Sequence, residues 1–283
     1  MPSLQLSRHG LAIGGDDLFV IAGLNVLEDE GLAFETAAQL KLVAEGLGLP
    51  FAFKASFDKA NRSSLDSYRG PGLEKGLEML AAVKARFDVP IASDIHTPEQ
   101  AALASEVIDI LQIPAFLCRQ TDLIVAAAKA VKHSGGWLHV KKGQFLAPMD
   151  CANILLKARQ AIGEDRVILC ERGVSFGYNN LVVDMLGFAQ MKALGCPVTI
   201  DATHAVQLPG ADPRTGGKST GGRREGVSVI ARAAVAAGAD GVFLEFHPDP
   251  DKALCDGLSC LPLASAETLL AELKAIHAIG GGR

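Results

Sequence analysis

Short runs of apolar residues alternate with segments of helical periodicity along most of the chain. The apolar runs, of which Phe19–Ala22 and Val242–Leu244 are typical, are continuous and contain few polar residues. Continuous runs of this kind are typical of parallel strands that are covered on both faces. Eight strands are predicted to begin near Leu18, Phe51, Val89, Ile108, Trp137, Val167, Val198 and Gly241.

Segments in which apolar residues recur with the helical period separate these strands. The clearest are Leu73–Phe87, Thr121–Lys132, Cys151–Ile162 and Val227–Ala237. No proline- or serine-rich linker interrupts the repeat of strand and helix, whose spacing of roughly thirty residues is that of a βαβ unit. The pattern therefore predicts an α/β protein whose 283 residues form a single (β/α)8 TIM-barrel domain.

Two segments lie outside the repeat. Residues 1–16 contain Leu4–Leu6 and Leu11–Ile13 joined through His9 and Gly10, which predicts a β-hairpin that caps the N-terminal end of the barrel. Residues 206–226 form a long glycine-rich stretch after the seventh strand. Long loops of this kind often cover an active site, so we expect a mobile loop here.

Composition narrows the class of protein. Hydrophobic residues make up 49% and charged residues 21% of the chain, which is enough apolar material for a large core. The net charge of −5 gives no general attraction to nucleic acid or to anionic membranes, so neither is an expected partner. The N-terminus has no secretory pattern and the six cysteines contain no Cys-x-x-Cys pair. We therefore expect a cytoplasmic protein with reduced thiols.

Polar residues follow the predicted strands. They are Asn25 and Glu28, Lys54–Ser64, Asp94 and His96, Gln112, Lys141 and Lys142, Glu171 and Arg172, Asp201 and His204, and Glu245, His247 and Asp249. The carboxyl ends of all eight strands meet at one face of a barrel, which is the face that carries active sites. The sequence therefore predicts a functional cluster at that face, although a stretch such as Lys54–Ser64 taken alone could be a solvated loop.

The charge of this cluster indicates the kind of ligand. Lys54, Lys59, Arg62, Lys141 and Arg172 would meet at one mouth of a protein that is acidic overall. Like charges about 6 Å apart repel by roughly 1–3 kcal/mol at an intermediate dielectric, so such a cluster is costly without a counter-charge. Phosphate is a natural counter-charge, and five cations indicate substrates with more than one anionic group.

A second constellation could hold a metal ion. His204, Glu245 and Asp256 follow the last two strands, where an imidazole and two carboxylates could converge on a divalent ion. The fourth position, at the end of the first strand, is Asn25, whose amide binds first-row metals weakly. We therefore expect no tightly held metal, and these residues would instead form a hydrogen-bonding and proton-handling set.

A series of motifs, in order along the chain, resembles the family of 3-deoxy-D-manno-octulosonate 8-phosphate synthases. The motifs are Lys54–Ser64, Ser93–His96, Gln112–Asp122, Val140–Lys142, Arg172–Gly173, Phe176–Tyr178, Asp201–His204 and His247–Pro250. The resemblance extends from about Phe19 to Leu263. It implies condensation of phosphoenolpyruvate with D-arabinose 5-phosphate and release of inorganic phosphate, in the route to the Kdo sugar of lipopolysaccharide.

The resemblance also implies roles for individual residues. Phosphoenolpyruvate would be held by Lys59, Lys141 and Arg172, with Lys54 and Ser56 nearby. Arabinose 5-phosphate would be held by Asn61, Arg62, Ser63 and Asp94, and Gln112 belongs to the same substrate-binding set. Arg119 resembles the residue that family members present to the sugar phosphate of a neighbouring subunit, which implies a homotetramer.

The resemblance also implies a branch of the family and a catalytic set. Asn25 and Cys255–Gly257 resemble the branch that needs no metal, so no cofactor is expected; Glu171 departs from the aspartate expected before Arg172. The catalytic set would be Lys141, His204 and Asp256, with Asn25 and Glu245. As a hypothesis, His204 and Asp256 position or deprotonate the attacking water while Lys141 protonates or polarises an oxygen.

Three alternatives remain open from the sequence. A Schiff-base aldolase also uses a lysine at a strand end, but Lys141 has a cationic neighbour in place of the apolar surroundings such a lysine needs. A related synthase that uses erythrose 4-phosphate shares the chemistry, although the pair Asn61-Arg62 fits the arabinose enzyme. A non-catalytic barrel that binds a phosphosugar is the alternative outside the enzymes.

Overall fold

Eight parallel strands close into a barrel in the computed structural model, which describes residues 4–6, 9–62, 66–212 and 220–280. The barrel strands are β3 Phe19–Val26, β4 Phe51–Ser56, β5 Ile91–Asp94, β6 Ile110–Ile113, β7 Trp137–Lys141, β8 Val167–Glu171, β11 Val198–Asp201 and β14 Gly241–His247. Pairing of β14 with both β3 and β11 completes the closure. Every residue of these strands is buried, because side chains on one face fill the barrel and those on the other pack under the helices.

Helices cover the outside of the barrel. They are α1 Glu30–Leu47, α2 Leu73–Phe87, α3 Pro98–Ala104, α4 Thr121–Ser134, α5 Ala152–Ile162, α6 Leu186–Lys192, the short α7 Ala202–Ala205, α8 Arg224–Ala236 and α9 Ala266–Gly280. The local sequence sets their ends: Asp29 accepts a hydrogen bond from Leu32 N at the start of α1, and Gly48 ends that helix at a φ of 63°. The (β/α)8 prediction is confirmed, and α2 has the predicted bounds.

The N-terminal hairpin closes the opposite end of the barrel from the strands' carboxyl ends. Strands β1 Leu4–Leu6 and β2 Leu11–Ile13 pair antiparallel. Their apolar side chains join a buried cluster with Phe19, Trp137 and other residues from the barrel interior, and Trp137 Nε1 donates to Gln5 O at 3.2 Å. The predicted hairpin and its position are confirmed.

Two short antiparallel ladders lie in the loops that follow the carboxyl ends of the barrel strands. Strand β9 Val174–Gly177 pairs with β10 Asn180–Val182, and β12 Gln207–Leu208 pairs with β13 Gly221–Gly222. A last short strand, β15 Leu261–Pro262, adds to the end of β14. The predicted mobile loop 206–226 contains both strands of the second ladder, and its last residues, 224–226, belong to the first turn of α8. Its residues 213–219 lie outside the described residues, so its mobility stays a prediction.

All six cysteines are buried and none is in a disulfide. Within residues 4–6, 9–62, 66–212 and 220–280, no helix combines the length and the apolar character needed to cross a bilayer.

Candidate active site

A cavity of about 480 Å³ opens at the carboxyl ends of the barrel strands. Nine of the sequence-predicted site residues line it: Lys59, Asn61, Arg62, Asp94, Gln112, Lys141, Arg172, His204 and Asp256. Four others, Asn25, Lys54, Ser56 and Glu245, are buried and hydrogen-bonded in the floor beneath it. The structure therefore brings most of the predicted set to one place, while Ser63 lies outside the described residues.

Lys54 and Glu245 form the centre of the floor. Lys54 Nζ donates to Glu245 Oε1 at 2.6 Å and to the backbone oxygens of Asn25 and Leu24 at 2.9 and 3.3 Å. The close approach of β3 to β4 at this level needs Gly23, because a Cβ there would lie 2.0 Å from Lys54 O. Burial lowers the pKa of Lys54, and Glu245 opposes that change. The ammonium is thus engaged beneath the cavity, and its direct contact with substrate stays a prediction.

Glu245 is the acceptor that several cations share. Burial alone would raise its pKa, but His204, Lys54 and Lys59 outweigh burial and lower the pKa to about 2. The Nε2 atom of His204 lies 3.5 Å from one carboxylate oxygen and Lys59 Nζ lies 4.0 Å from the other. The side-chain amide of Asn25 donates to the same carboxylate. Glu245 is therefore ionised and holds these groups around itself.

Lys141, Asp201 and His204 form a second buried network. Asp201 Oδ2 lies 2.6 Å from Lys141 Nζ and 2.7 Å from His204 Nδ1. Burial disfavours charge on His204, but Asp201 and Glu245 outweigh burial and raise its pKa. Burial likewise opposes ionisation of Asp201, while His204 and Lys141 hold its pKa well below the usual range. His204 is therefore poised as an imidazolium between carboxylates.

The sequence motifs do not reveal how central Asp201 is. Its carboxylate caps α7 by accepting from His204 N at 2.9 Å, and it also binds the ring of the same histidine. The spacing Asp-x-x-His after a strand is the signal that could have identified this pair, since an N-cap residue faces the third residue of its helix.

Asp256 completes the group of carboxylates around His204. Its Oδ2 lies 3.8 Å from His204 Nε2 and accepts from Asn25 Nδ2 at 3.3 Å, while its other oxygen lies 3.8 Å from Arg62 Nη1. Burial would raise its pKa, but the positive charges of His204, Lys59 and Arg62 outweigh burial and hold the pKa below the usual range. A φ of 50° at Asp256 places its backbone in the left-handed region, which aspartate tolerates better than most residues.

These oxygens are occupied by hydrogen-bond donors in a way that does not suit a divalent cation. Asn25 Nδ2 donates to both Glu245 and Asp256, and the ammonium of Lys54 binds Glu245. A metal ion needs those lone pairs and is repelled by an ammonium group at the same carboxylate. His204, Glu245 and Asp256 thus converge as predicted. His204 lies within ion-pair distance of both carboxylates, and the hydrogen bonds to those carboxylates come from Asn25 and Lys54.

Asp94 organises the other side of the cavity. Its Oδ1 accepts from Ser56 Oγ at 2.7 Å and from Gln112 Nε2 at 3.3 Å. Burial opposes its charge, but Lys59, His96 and Lys54 hold its pKa well below the usual range. Burial also opposes charge on Lys59, and Glu245 and Asp94 together raise its pKa. Asp94 and Lys59 are therefore both charged, and each charge favours the other at the mouth of the cavity.

The arginines of the cavity retain unused donors. Arg172 is only 5% exposed; its Nη2 donates to Gln207 Oε1 at 3.0 Å, and its buried Nη1 has no hydrogen-bond partner among the described residues. Glu171, which replaces the expected aspartate, accepts from the backbone N of Arg172 and of Gly173 and so fixes this turn. Arg62 Nη1 lies 2.6 Å from Cys255 Sγ, and its buried Nε is likewise unpartnered among the described residues.

Two buried residues that the sequence did not single out support this network from below. The ring centroid of Phe243 lies 3.8 Å from Lys141 Nζ, a cation–π contact. His139 stacks on the same ring with an interplanar angle of 15° and contacts Gln112 Oε1 and Thr199 Oγ1. Burial, with a contribution from Lys141, lowers the pKa of His139 to about 3, so the ring is neutral. Both residues lie within apolar strands, where no sequence signal marks them.

Arg119 is the one described member of the predicted set that lies away from the cavity. It is exposed and lines a separate depression with Asp150, Asn153 and Lys157, and its guanidinium has no hydrogen bond or ion pair within the described residues. Large apolar side chains flank these lining residues in sequence and are exposed: Phe116, Phe145 and Met149. The predicted reach of Arg119 into a neighbouring subunit stays a prediction.

The fold and site together define a (β/α)8 barrel whose cationic mouth is built to hold anionic small molecules. Residues 3–279 match the DAHP synthetase I family. Similar curated proteins are called 2-dehydro-3-deoxyphosphooctonate aldolase. The one from Marinobacter nauticus is 54% identical over 277 residues, 98% of this chain and 95% of the relative. That from Syntrophotalea carbinolica is 55% identical over 269 residues, 95% of this chain and 94% of the relative.

These matches cover nearly the whole chain at high identity. The chain therefore belongs to the DAHP synthetase I family and, within it, to the group of 2-dehydro-3-deoxyphosphooctonate aldolases. That name denotes the Kdo 8-phosphate synthase that the motifs resemble, so the predicted family is confirmed. The branch within the family is not decided by these matches and stays a prediction.

Proposed function

We propose that this protein condenses phosphoenolpyruvate with D-arabinose 5-phosphate and water to give 3-deoxy-D-manno-octulosonate 8-phosphate and inorganic phosphate. One observation carries the proposal: Lys59, Arg62, Lys141 and Arg172 converge on one cavity, and Arg172 Nη1 is buried without a partner among the described residues. A buried, unused guanidinium donor is costly in a structure unless it serves a ligand. Both proposed substrates carry a phosphate group, and phosphoenolpyruvate also carries a carboxylate.

Phosphoenolpyruvate is assigned to Lys59, Lys141 and Arg172, with Lys54 and Ser56 beneath them. Lys141 is held by Asp201 and by the face of Phe243. Arg172 is anchored through one nitrogen, which leaves the other free for an anion within the described surroundings. Fixed cations of this kind stabilise negative charge without reorganising during the reaction.

Arabinose 5-phosphate is assigned to Asn61, Arg62 and Ser63, with Asp94 and Gln112 on the same side. Arg62 is held at Cys255 and Asp256 by weak contacts, so a phosphate group can compete for its guanidinium. Asp94 accepts hydrogen bonds, and Gln112 retains one N–H without a partner among the described residues. This side can therefore recognise both the phosphate and the hydroxyl groups of a sugar phosphate.

The reaction forms a bond from C3 of phosphoenolpyruvate to the sugar aldehyde carbon. Water adds at C2, and phosphate leaves by cleavage of its bond to that carbon. Asp256, an ionised carboxylate at the cavity, fits the orientation of the water. Its lowered pKa makes it a weak base, so it accepts the proton of the water only as the new bond to C2 forms and makes that water acidic. His204 is better suited to hold that carboxylate and stabilise charge as an imidazolium, because its pKa is raised. Lys141 polarises the oxygen on which negative charge develops.

No metal ion takes part in this proposal. The amide of Asn25 donates to the two carboxylates that a metal would need, and the ammonium of Lys54 binds one of them. Activity should therefore survive dialysis against EDTA. The substitution Asn25→Cys replaces the amide with a ligand that becomes a thiolate on metal binding, and should allow the protein to retain a divalent ion after dialysis, measured as bound metal. Loss of wild-type activity with EDTA and its recovery with added metal would contradict the proposal.

The assembly and setting follow the same family. We propose a homotetramer in which Arg119 approaches the sugar phosphate of a neighbouring subunit, acting in the cytoplasm in the synthesis of the Kdo sugar of lipopolysaccharide. The exposed guanidinium of Arg119 lines the depression, and the exposed Phe145 and Met149 are next in sequence to its lining residues Leu146 and Asp150. These side chains support a contact at this face. Sedimentation analysis at several protein concentrations tests the oligomeric state.

One assay tests the reaction. Release of inorganic phosphate is measured with phosphoenolpyruvate plus either arabinose 5-phosphate or erythrose 4-phosphate, with and without EDTA. Release with arabinose 5-phosphate only, unaffected by EDTA, is the expected result. Preference for erythrose 4-phosphate would assign the related synthase, trapping of a substrate adduct by borohydride would assign a Schiff-base aldolase, and calorimetric binding without turnover would assign a binding protein.

A further inference from the structure

Asp94, Gln112 and His139 lie side by side on three neighbouring strands. The register pairs Asp94 with Gln112 and Gln112 with His139, so the side chains form a row across the barrel interior. Their exposed fractions are 6%, 2% and 0%. Gln112 Nε2 lies 3.3 Å from Asp94 Oδ1, and Gln112 Oε1 lies 3.0 Å from His139 Nδ1. At this depth each unmade hydrogen bond is costly, so the row has a defined arrangement of donors and acceptors.

The direction of each hydrogen bond follows from the chemistry of the groups. Asp94 is ionised and can only accept, so Gln112 must present its Nε2 to Asp94 and its Oε1 to His139. His139 Nδ1 must then carry a proton, because a carbonyl oxygen cannot donate. Thr199 Oγ1 lies 2.9 Å from His139 Nε2 and 3.3 Å from Leu169 O, and its hydroxyl has one hydrogen to donate. Because the Nε2 atom of an imidazole protonated at Nδ1 can only accept, that hydrogen is directed at the nearer Nε2.

The stack on Phe243 holds the plane of the imidazole ring. The two ring centroids are 6.2 Å apart and nearly parallel. His139 is thereby fixed from three directions, by Phe243, Thr199 and Gln112, and it does not line the cavity. Gln112 does line the cavity, so any effect of His139 on a ligand passes through that amide.

We propose that His139 is a positioning residue, whose Nδ1–H holds the Gln112 amide with its N–H groups directed at Asp94 and at an oxygen atom of the sugar phosphate. The assignment of the ligand rests on the proposed function. Without a donor to Oε1, the Gln112 side-chain amide can flip by about 180° and place its oxygen toward Asp94 and the ligand. Two acceptors would then face each other, and the donor to the sugar would be lost.

Two substitutions separate this role from simple filling of space. His139→Asn keeps an amide nitrogen near the position of Nδ1, whereas His139→Gln places its nitrogen near the position of Nε2. Loss of one buried hydrogen bond corresponds to a change of about fivefold to tenfold in affinity. His139→Gln should therefore raise the KM of arabinose 5-phosphate by about tenfold and leave that of phosphoenolpyruvate within about twofold. His139→Asn should stay close to wild type for both substrates.

Equal changes in the two variants, or an equal rise in both Michaelis constants, would overturn the proposal. Thermal unfolding midpoints of both variants identify any general loss of structure. A second measurement needs no substrate: long-range ¹H–¹⁵N correlation spectra of histidine-labelled wild-type protein, with His139 assigned by the signal missing from His139→Asn. A proton on Nδ1 supports the proposal, and a proton on Nε2 refutes it. If the wild type fails to turn over the two substrates, the proposed function fails while the tautomer still decides the role of His139.

Discussion

The substitution Glu245→Gln tests whether the floor of the site depends on one buried charge. It keeps the size of the side chain and removes the negative charge that accepts from Lys54 at 2.6 Å. Both side chains are at most 1% exposed, so water cannot replace the lost partner. The ammonium of Lys54 would remain with two backbone oxygens and a neutral amide.

Two independent considerations give the same magnitude. Breaking a buried ion pair by neutralising one partner destabilises a protein by about 3–5 kcal/mol. The pKa of Glu245 falls from 4.5 to about 2, which corresponds to about 3 kcal/mol of preferential stabilisation of the carboxylate. For a chain of 283 residues, a loss of about 3–5 kcal/mol lowers Tm by roughly 5–8 °C. Activity should fall as well, because Lys59 and His204 also face this carboxylate.

The assay is chemical unfolding of wild type, Glu245→Gln, Lys54→Met and the double variant. The double variant removes both charges and leaves no unpaired ammonium, so it should be more stable than the sum of the single changes predicts, by at least about 1.5 kcal/mol. Because the folded pKa of Glu245 lies below its unfolded value, its contribution is complete above about pH 4.5 and is lost as pH falls toward 2. The gap between wild type and Glu245→Gln should therefore be constant near neutral pH and shrink in acid. Additive single changes, or a gap below about 1 kcal/mol, would refute the reasoning.

Three further predictions follow from the site. Lys59→Ala should raise the KM of phosphoenolpyruvate and Arg62→Ala that of arabinose 5-phosphate, each by about tenfold or more, in initial-rate assays. The imidazolium of His204 contributes stability that is complete below pH 6.5 and is lost as pH rises through its raised pKa, so the difference in unfolding free energy between wild type and His204→Gln should shrink as pH rises above 6.5, measured by urea unfolding. Arg119→Ala should raise the KM of arabinose 5-phosphate by about tenfold in initial-rate assays, without changing the sedimentation coefficient of the protein.

Each of these predictions has a control and a contrary outcome. Lys252→Ala removes an exposed lysine charge and should change neither Michaelis constant. If Lys59→Ala and Arg62→Ala raise the KM of the same substrate, the assignment of these two residues to different substrates is incorrect. If the free energy of unfolding depends on pH in the same way for wild type and His204→Gln, the imidazolium of His204 is not stabilised by its carboxylate neighbours. Normal kinetics for Arg119→Ala would remove it from the sugar site.

The sequence predicts the barrel well because the fold depends on averages over many residues. Each strand is a continuous apolar run and each helix a repeat of apolar positions, and errors at single residues do not change either pattern. The predicted helix at Leu73–Phe87 has the observed bounds, whereas the one predicted at Val227–Ala237 begins earlier, at Arg224. The ends of elements depend on local caps that periodicity does not resolve.

The candidate site is predictable where topology alone fixes position. Residues such as Lys59 and Arg172 follow strand ends, and the barrel brings every strand end to one face. Whether a side chain lines the cavity or lies beneath it is harder to predict. This depends on which way the side chain points, and a strand that is buried on both faces gives no alternation of polar and apolar residues from which to read that direction. Lys54 therefore lies in the floor, and His139 and Phe243 support the site without a sequence signal. Which side chains form ion pairs with one another is harder still to predict. Asp201, for example, binds both Lys141 and His204.

The buried cysteines make the protein a convenient background for site-specific labelling. Each of the six thiols is protected by burial, and burial raises the pKa of each thiol above its ordinary value, so little reactive thiolate forms near neutral pH. A cysteine introduced at an exposed helix position, such as Leu42→Cys, would react with a maleimide dye much faster than any native thiol. A fluorescent probe attached there could then report on unfolding or on ligand binding without first removing the protein's own cysteines.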